Sequence, residues 1–384
     1  MNKLAVLSSH PIQYNAPLFK LLAQDVRFKV KVFYTLGKES SGFTDPGFKK
    51  AIKWDIPLLD GYDYTFVKNT SSKPSTSSFR GIINPTLVQE IESFGATHIL
   101  VYGWKFHSHL KVLRHFHNKA KVIFRGDSTL LDEKPGFKTL LRRVLLSWVY
   151  KHVDAALYVG SNNRKYFLKH GVLEKNLIYA PHAIDNDRFS SLEHEFKSEE
   201  LRKHLGIDHN KKVFLFTGKF EWKKNPKLLI DAFNSIKSTE SILLLVGDGA
   251  LDVELKQAAD LNQNIKFLPF QNQSMMPATY RLGDVLVLPS VTETWGLSMN
   301  EAMACGLVVI ASNKVGGVAD LIEIGKNGFI FESDNLVQLA DVLNIIANMP
   351  KKQVKHMGNY SAMKIKDWSF QHTSDAISNY INNY

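Results

Sequence analysis

The amino-acid sequence predicts two Rossmann-like α/β domains in one chain. Three observations predict it. The 384 residues exceed the roughly 250–300 that one core supports. Short apolar runs alternate with helical patterns in two separate series. A charged segment, residues 186–210, parts the two series and reads as a hinge. With 44% hydrophobic and 22% charged residues, the chain has the balance of a folded globular protein, which excludes intrinsic disorder.

The first series places strands at 3–8, 28–34, 98–102, 121–125, 155–159 and 177–180. Helical patterns fall at 16–23, 85–93, 106–116 and 138–151. Such alternation requires crossover helices and therefore parallel strands. The stretch 36–84 departs from it. Apart from 63–68 it has weak strand signals, and its Ser/Thr/Lys-rich piece 70–78 reads as a mobile loop. The second series places strands at 212–217, 241–246, 264–268, 284–288, 307–310 and 328–331. Its helices fall at 226–236, 251–261, 298–304, 315–322 and 336–347, and the tail 353–384 is helical. The expected domains are 1–184 and 185–365. Two such domains facing each other would form a cleft. Open parallel sheets bind ligands beyond the carboxyl ends of their strands, so chemistry is sought in the loops there.

The net charge of +11 is unevenly spread. Residues 1–180 hold 27 Lys+Arg against 13 Asp+Glu, and the remainder 21 against 24. A basic first half suits a polyanionic partner: anionic lipid headgroups, a phosphorylated acceptor or nucleic acid. The single cysteine, Cys305, excludes an internal disulfide and any cysteine-cluster zinc site. No run approaches the roughly 20 apolar residues that cross a bilayer. The start of the chain reads as a first strand rather than a signal peptide, and the expected location is cytoplasmic. His107, His109, His115 and His117 invite a metal reading, but i, i+2 spacing splits each pair between helix faces and no carboxylates accompany them. No metal is expected.

The most informative stretch runs from Pro289 to Gly306. It holds Glu293 and, eight positions on, Glu301. Between them Thr294-Trp295-Gly296-Leu297 leads into a helix whose first N–H groups suit a diphosphate. A carboxylate on that helix can accept from two ribose hydroxyls. After the first strand of the second series comes Gly218-Lys219-Phe220-Glu221-Trp222-Lys223-Lys224, with two ammonium groups suited to a leaving phosphate. Val246-Gly247-Asp248-Gly249 reads as a tight strand-to-helix turn.

Together these motifs resemble the retaining glycosyltransferases of family 4, which have the GT-B architecture. Their block "PS…E(S/T)(F/W)G…EAMA(C/S)G.PV(I/V)AS" matches Pro289 to Ser312, and Val315-Gly316-Gly317-Val318 continues in the same style. Lys219 stands at the family's Arg position and Lys224 at its Lys position. The Gly247 turn and Pro181-His182-Ala183-Ile184-Asp185 match as well. The resemblance covers residues 180–331 and implies a donor site; Asp367-Trp368-Ser369 and the helix at about 366–384 resemble the family's closing helix, which implies that the tail crosses back to complete domain 1–184. Gly218, Lys219 and Lys224 would hold the diphosphate, and Phe270 would lie by the base. Glu293 with Thr294, Trp295, Gly296 and Leu297 would serve the sugar-phosphate, and Glu301 the ribose. Ser9-His10-Pro11-Ile12-Gln13-Tyr14 replaces the usual Gly-rich loop and is similar to an HPIQY branch of the family.

The histidine many relatives carry after the 121–125 strand is absent here. Arg125 and Asp127 stand there instead, as catalytic or sugar-binding candidates with His10, Gln13 and Trp104. Arg125 and Asp127 could equally form an ion pair shaping the loop.

The expected activity is transfer of a sugar, with retention, from a nucleoside-diphosphate sugar (UDP favoured) to a glycan or lipid-linked acceptor in bacterial surface polysaccharide or glycolipid synthesis. It needs no cofactor, since the nucleotide-sugar is a substrate. The protein would be peripheral at the inner face of the cytoplasmic membrane, with no nucleic-acid partner. Rivals are a nucleotide-sugar epimerase or phosphorylase of the same fold, a non-catalytic nucleotide-sugar-binding subunit, and nucleic-acid binding through the basic half. No Gly-x-Gly-x-x-Gly follows a strand, which disfavours a nicotinamide enzyme.

Overall fold

The computed structural model describes residues 1–37, 44–45, 50–51, 54–236 and 240–383. The predicted stretch 36–84 and the tail thus lie partly outside the described residues. Two compact units share the chain. The first holds residues 1–37, Ile56–His182 and the helix that begins at Phe370. The second holds Ala183–Ser369 with the short ribbon β3 (Thr44–Asp45) and β4 (Lys50–Ala51).

The first unit contains β1 (Asn2–Ser8), α1 (Ala16–Ala23), β2 (Phe28–Tyr34), β5 (Asp63–Phe66), α2 (Leu87–Phe94), β6 (His98–Tyr102), α3 (His107–Phe116), β7 (Lys121–Arg125), α4 (Phe137–Tyr150), β8 (Ala155–Tyr158), α5 (Ser161–Lys169) and β9 (Leu177–Tyr179). Its strands pair in the order β5-β2-β1-β6-β7-β8-β9, all parallel. Because side chains alternate across a strand, β1 feeds two cores. Ala5 and Leu7 join Ile91, Val112, Leu146 and Val149 on one face. Leu4 and Val6 join Leu18, Phe19, Ile377 and Ile381 on the other. The last two belong to α15 (Phe370–Asn383), which closes this unit from the far end of the chain. Asn2 Nδ2 donates to the Ile381 carbonyl at 2.9 Å, and Thr373 Oγ1 to the Pro181 carbonyl at 2.9 Å.

The second unit contains α6 (Asn186–Ser190), α7 (Glu195–His204), β10 (Lys212–Thr217), α8 (Pro226–Ser235), β11 (Ser241–Val246), α9 (Asp252–Ala259), β12 (Ile265–Leu268), α10 (Met276–Tyr280), β13 (Val285–Leu288), α11 (Leu297–Ala304), β14 (Val308–Ser312), α12 (Val318–Leu321), β15 (Gly328–Phe331), α13 (Leu336–Asn348) and α14 (Lys351–Lys364). Its sheet runs β12-β11-β10-β13-β14-β15, again parallel. In both sheets the order of strands reverses at the first strand, and such a reversal is where ligands bind.

Two expectations are corrected. The charged segment 186–210 is no hinge. It folds as α6 and α7 on the second unit, because Phe189 is fully buried against the Tyr280 ring at 5.8 Å. Arg281 donates to the Ser190 and Ser191 carbonyls at 2.7 and 2.8 Å, so the charges anchor backbone rather than solvate a linker. The 315–322 helix shrinks to α12. Its first residues are spent on the neighbouring loop, with Gly316 N donating to the Glu293 carbonyl and Gly317 N to the Trp295 carbonyl, both at 2.9 Å. The 70–78 segment runs largely exposed, with Ser71 Oγ donating to the Arg80 carbonyl at 2.7 Å. Among the described residues no helix is long and apolar enough to cross a membrane.

Candidate active site

The second unit brings its candidate residues together at the β10/β13 reversal. The loop after β10 and the loop after β13 leave adjacent strands on one edge. Val291 N donates to the Lys223 carbonyl at 2.9 Å, and Lys224 Nζ forms an ion pair with the Glu293 carboxylate. Both side chains are mostly buried, at 23% and 18% exposure, so the pair is better insulated than a surface one. The Glu293 backbone is fixed from its other side by the loop after β14, since Glu293 N donates to the Lys314 carbonyl at 3.2 Å.

Gly296 then turns the chain into α11 with φ of 92°, and a Cβ there would come within 2.8 Å of Val315 Cγ1. Only glycine fits both demands. No side chain caps α11, so its first turn at Leu297 and Ser298 keeps the donor character that attracts an anion. Trp295 is buried and donates its indole N–H to Asn300 Oδ1 at 2.9 Å; it locks loop to helix rather than facing a ligand. Thr294 is exposed beside it.

Glu301, one turn into α11, is only 2% exposed. It accepts from the Tyr280 hydroxyl at 2.7 Å, and that hydroxyl lies 2.9 Å from Thr217 Oγ1 at the end of β10. Nothing in the sequence singles out Tyr280, and Asn300, though inside the Pro289–Gly306 stretch, has no role legible there. Thr217 stands directly before the Gly-Lys motif. Tyr280 lies in a helix with no motif of its own.

Lys219 follows Gly218, whose φ is 154°. Gly218 N donates to the Val246 carbonyl at 3.0 Å, and a Cβ on Gly247 would run into the Gly218 carbonyl. The Gly247 turn is thus required by close packing of two loops. Phe270 is partly buried after β12, two strands from β10 and away from the reversal. Burial pushes the Cys305 thiol up to about 12, and it donates to the Phe189 carbonyl. It is no nucleophile at neutral pH.

In the first unit His10 and Gln13 follow β1, and Trp104 follows β6, at the corresponding reversal. His10 Nδ1 lies 2.9 Å from Ser9 Oγ. Gln13 is partly buried, and Trp104 packs on the core cluster of α2 and α3. Arg125, at the end of β7, is 6% exposed and donates to the carbonyls of Ala180 and Pro181 at 3.0 and 3.1 Å. Two of its N–H groups therefore hold the chain where it leaves this unit. Asp127 and His182 lie within electrostatic reach. Burial and then the Arg125 charge press the His182 imidazole down to about 4, with Asp127 opposing. His182 is neutral at pH 7, a feature the sequence shows only as part of a hinge motif.

The predicted histidine set divides by environment. His109 is wholly buried, with Nδ1 3.0 Å from the Gly103 carbonyl and Nε2 2.9 Å from Thr35 Oγ1. Among the described residues no group of three or more His, Cys, Asp or Glu is placed to hold a metal ion.

Residues 197–363 match the family model "Glycosyl transferases group 1". That segment is similar to the group 1 glycosyltransferases. The D-inositol 3-phosphate glycosyltransferase of Arthrobacter sp. (strain FB24) is 30% identical over 182 residues, 45% of this chain and 43% of that protein. Spore coat protein SA of Bacillus subtilis (strain 168) is 32% identical over 176 residues, 42% of this chain and 46% of that protein. The chain thus spans less than half the length of these curated relatives. The crystal structure of Anabaena Alr3699/HepE in complex with UDP aligns over 100% of both chains with a TM-score of 0.74 and 18% identity. The likeness shows the fold: two Rossmann-like domains in one chain, the GT-B fold of glycosyltransferases. Lys224, Glu293 and Glu301 all lie within the segment that matches the family model.

Proposed function

We propose that the protein is a retaining, family-4-like glycosyltransferase that moves a sugar from a nucleoside-diphosphate sugar, UDP favoured, to a glycan or lipid-linked acceptor. One observation carries this. The Lys224–Glu293 pair bridges two loops at the strand reversal beside an uncapped helix start, inside the segment that matches the group 1 glycosyltransferase model. The second unit takes the donor and the basic first unit the acceptor.

The diphosphate sits at the α11 start, flanked by Lys219 and Lys224, and competes with Glu293 for the Lys224 ammonium. Glu301, oriented by Tyr280, accepts from the ribose hydroxyls. The acceptor oxygen attacks C1 on the face from which the phosphate leaves. The C1–O bond to phosphate breaks and the C1–O bond to acceptor forms. The acceptor proton passes to the departing phosphate oxygen. Negative charge grows on the diphosphate in this step, so the two ammonium groups hold the transition state more strongly than the ground state. The lysines and helix start do the neutralising, and no metal is required.

The setting is surface polysaccharide or glycolipid assembly, at the inner face of the membrane. Incubation with UDP-sugars and EDTA tests the reading. Acceptor-dependent UDP release with an α-configured product from an α-donor is expected. Interconversion of donor sugars without any acceptor would favour the epimerase. Binding without turnover across a broad acceptor panel would favour the non-catalytic subunit.

A further inference from the structure

We propose that helix α4 (Phe137–Tyr150) is the element that seats this protein on an anionic lipid surface. Its solvent side carries Phe137, Leu140, Leu141, Val144, Leu145 and Trp148, exposed by 73, 56, 54, 65, 45 and 38%. The spacing is three and four throughout, so the six form one stripe along the helix. The opposite side anchors the helix: Leu146, Val149 and Tyr150 are buried in the core of the first unit. Fold stability therefore needs the buried side and not the stripe. Scattered exposed leucines need no explanation, but six in register on one helix do.

The charges around the stripe choose its occupant. Residues 134–151 hold Lys134, Lys138, Arg142, Arg143 and Lys151 and no Asp or Glu. Arg143 is answered by Glu133 at 2.8 Å. Lys134, Lys138, Arg142 and Lys151 are exposed. Arg114 stacks on the Trp148 ring at 5.4 Å, which adds a cation at the edge of the stripe. A second copy packed stripe to stripe would bring these like charges together with no carboxylate from the segment to offset them. An anionic bilayer answers both features, taking the apolar side chains below its headgroups and the cations among them. At 14 residues, about 21 Å, and with one buried side, the helix lies along the surface and does not cross it.

This rests on the membrane-peripheral part of the proposed function and on none of its donor chemistry. The test is co-sedimentation with vesicles of phosphatidylcholine, with and without about one third phosphatidylglycerol. Three proteins are compared: the full chain, Leu140→Asn/Val144→Asn, and Lys138→Glu/Arg142→Glu. The full chain should sediment with the anionic vesicles only, and each double variant should bind at least tenfold more weakly. Their melting temperature and their stabilisation by UDP should equal the wild type's. A wild type that stays in the supernatant overturns the proposal, as does an apolar variant that binds like wild type. So does a wild-type dimer in sedimentation velocity that Leu140→Asn/Val144→Asn dissolves, which would assign the stripe to self-association. Loss of UDP binding in the wild type with vesicle binding intact would remove the donor reading and leave this one standing.

Discussion

Lys224 and Glu293 are 69 positions apart in the sequence, yet their charges meet because β10 and β13 are neighbours in the sheet. Both are legible as motif residues; their pairing is not, since it depends on strand order. Lys224→Met and Glu293→Gln should each lower kcat by roughly 10²–10³ with a melting temperature within a few degrees of wild type. Glu301→Ala should lower affinity for the nucleoside diphosphate at least tenfold in a calorimetric titration, while circular dichroism stays unchanged. Its partner Tyr280 gives no signal in the sequence because a tyrosine in a short buried helix looks like core, and it is core as well.

His109 sets a pH dependence at the same scale. Burial lowers its imidazole from 6.5 to about 4. Between those values the unfolded chain binds the extra proton and the native one does not. Stability is therefore full at pH 7 and falls as pH drops through that window, by about 3 kcal/mol from this group. His109→Gln keeps a neutral donor and acceptor, and should flatten the loss of melting temperature between pH 7 and pH 5.

Helices and strands show what patterning resolves and what it misses. Strands β2, β6, β7, β10, β11 and β15 occupy the predicted ranges, since short β-branched and aromatic runs bounded by turn residues admit few other structures. The α6–α7 region defeats pattern reading because charge density suggests a solvated linker, whereas buried Phe189 and the Arg281 contacts to the Ser190 and Ser191 carbonyls hold it on the second unit. Another connection is invisible in the sequence. Lys212, on β10, sends its Nζ to the Ile346, Ala347 and Met349 carbonyls at 2.6, 2.8 and 2.7 Å and so caps the end of α13. Lys212→Met would strand those carbonyls in a buried place, at a cost of about 2–3 kcal/mol read from urea unfolding of the second unit's transition. Gly247→Ala should be worse tolerated than its size suggests, costing about 2 kcal/mol or more, because φ there is 154° and the Gly218 carbonyl occupies the space.

At the scale of the molecule, one strand order appears twice, reversing at β1/β6 and at β10/β13. Composition and alternation are enough to predict two Rossmann-like domains, and the return of the tail helix to the first unit is legible from the family resemblance. The donor half is the more readable because its chemistry sits in contiguous motifs. The first unit's candidates are spread over three strand ends and are partly spent on structure, as Arg125 is on the Ala180 and Pro181 carbonyls. Most of the excess positive charge of residues 1–180 belongs to the unit that carries α4.

Calorimetric titration of UDP, GDP, ADP, CMP and NAD into the full-length protein in EDTA tests the central claim most directly. One nucleoside diphosphate should bind at micromolar concentration, with UDP favoured, and Glu301→Ala should lose that binding. No binding by any diphosphate, or binding by NAD alone, would contradict the assignment of the Glu293–Glu301 loop to a nucleotide-sugar donor.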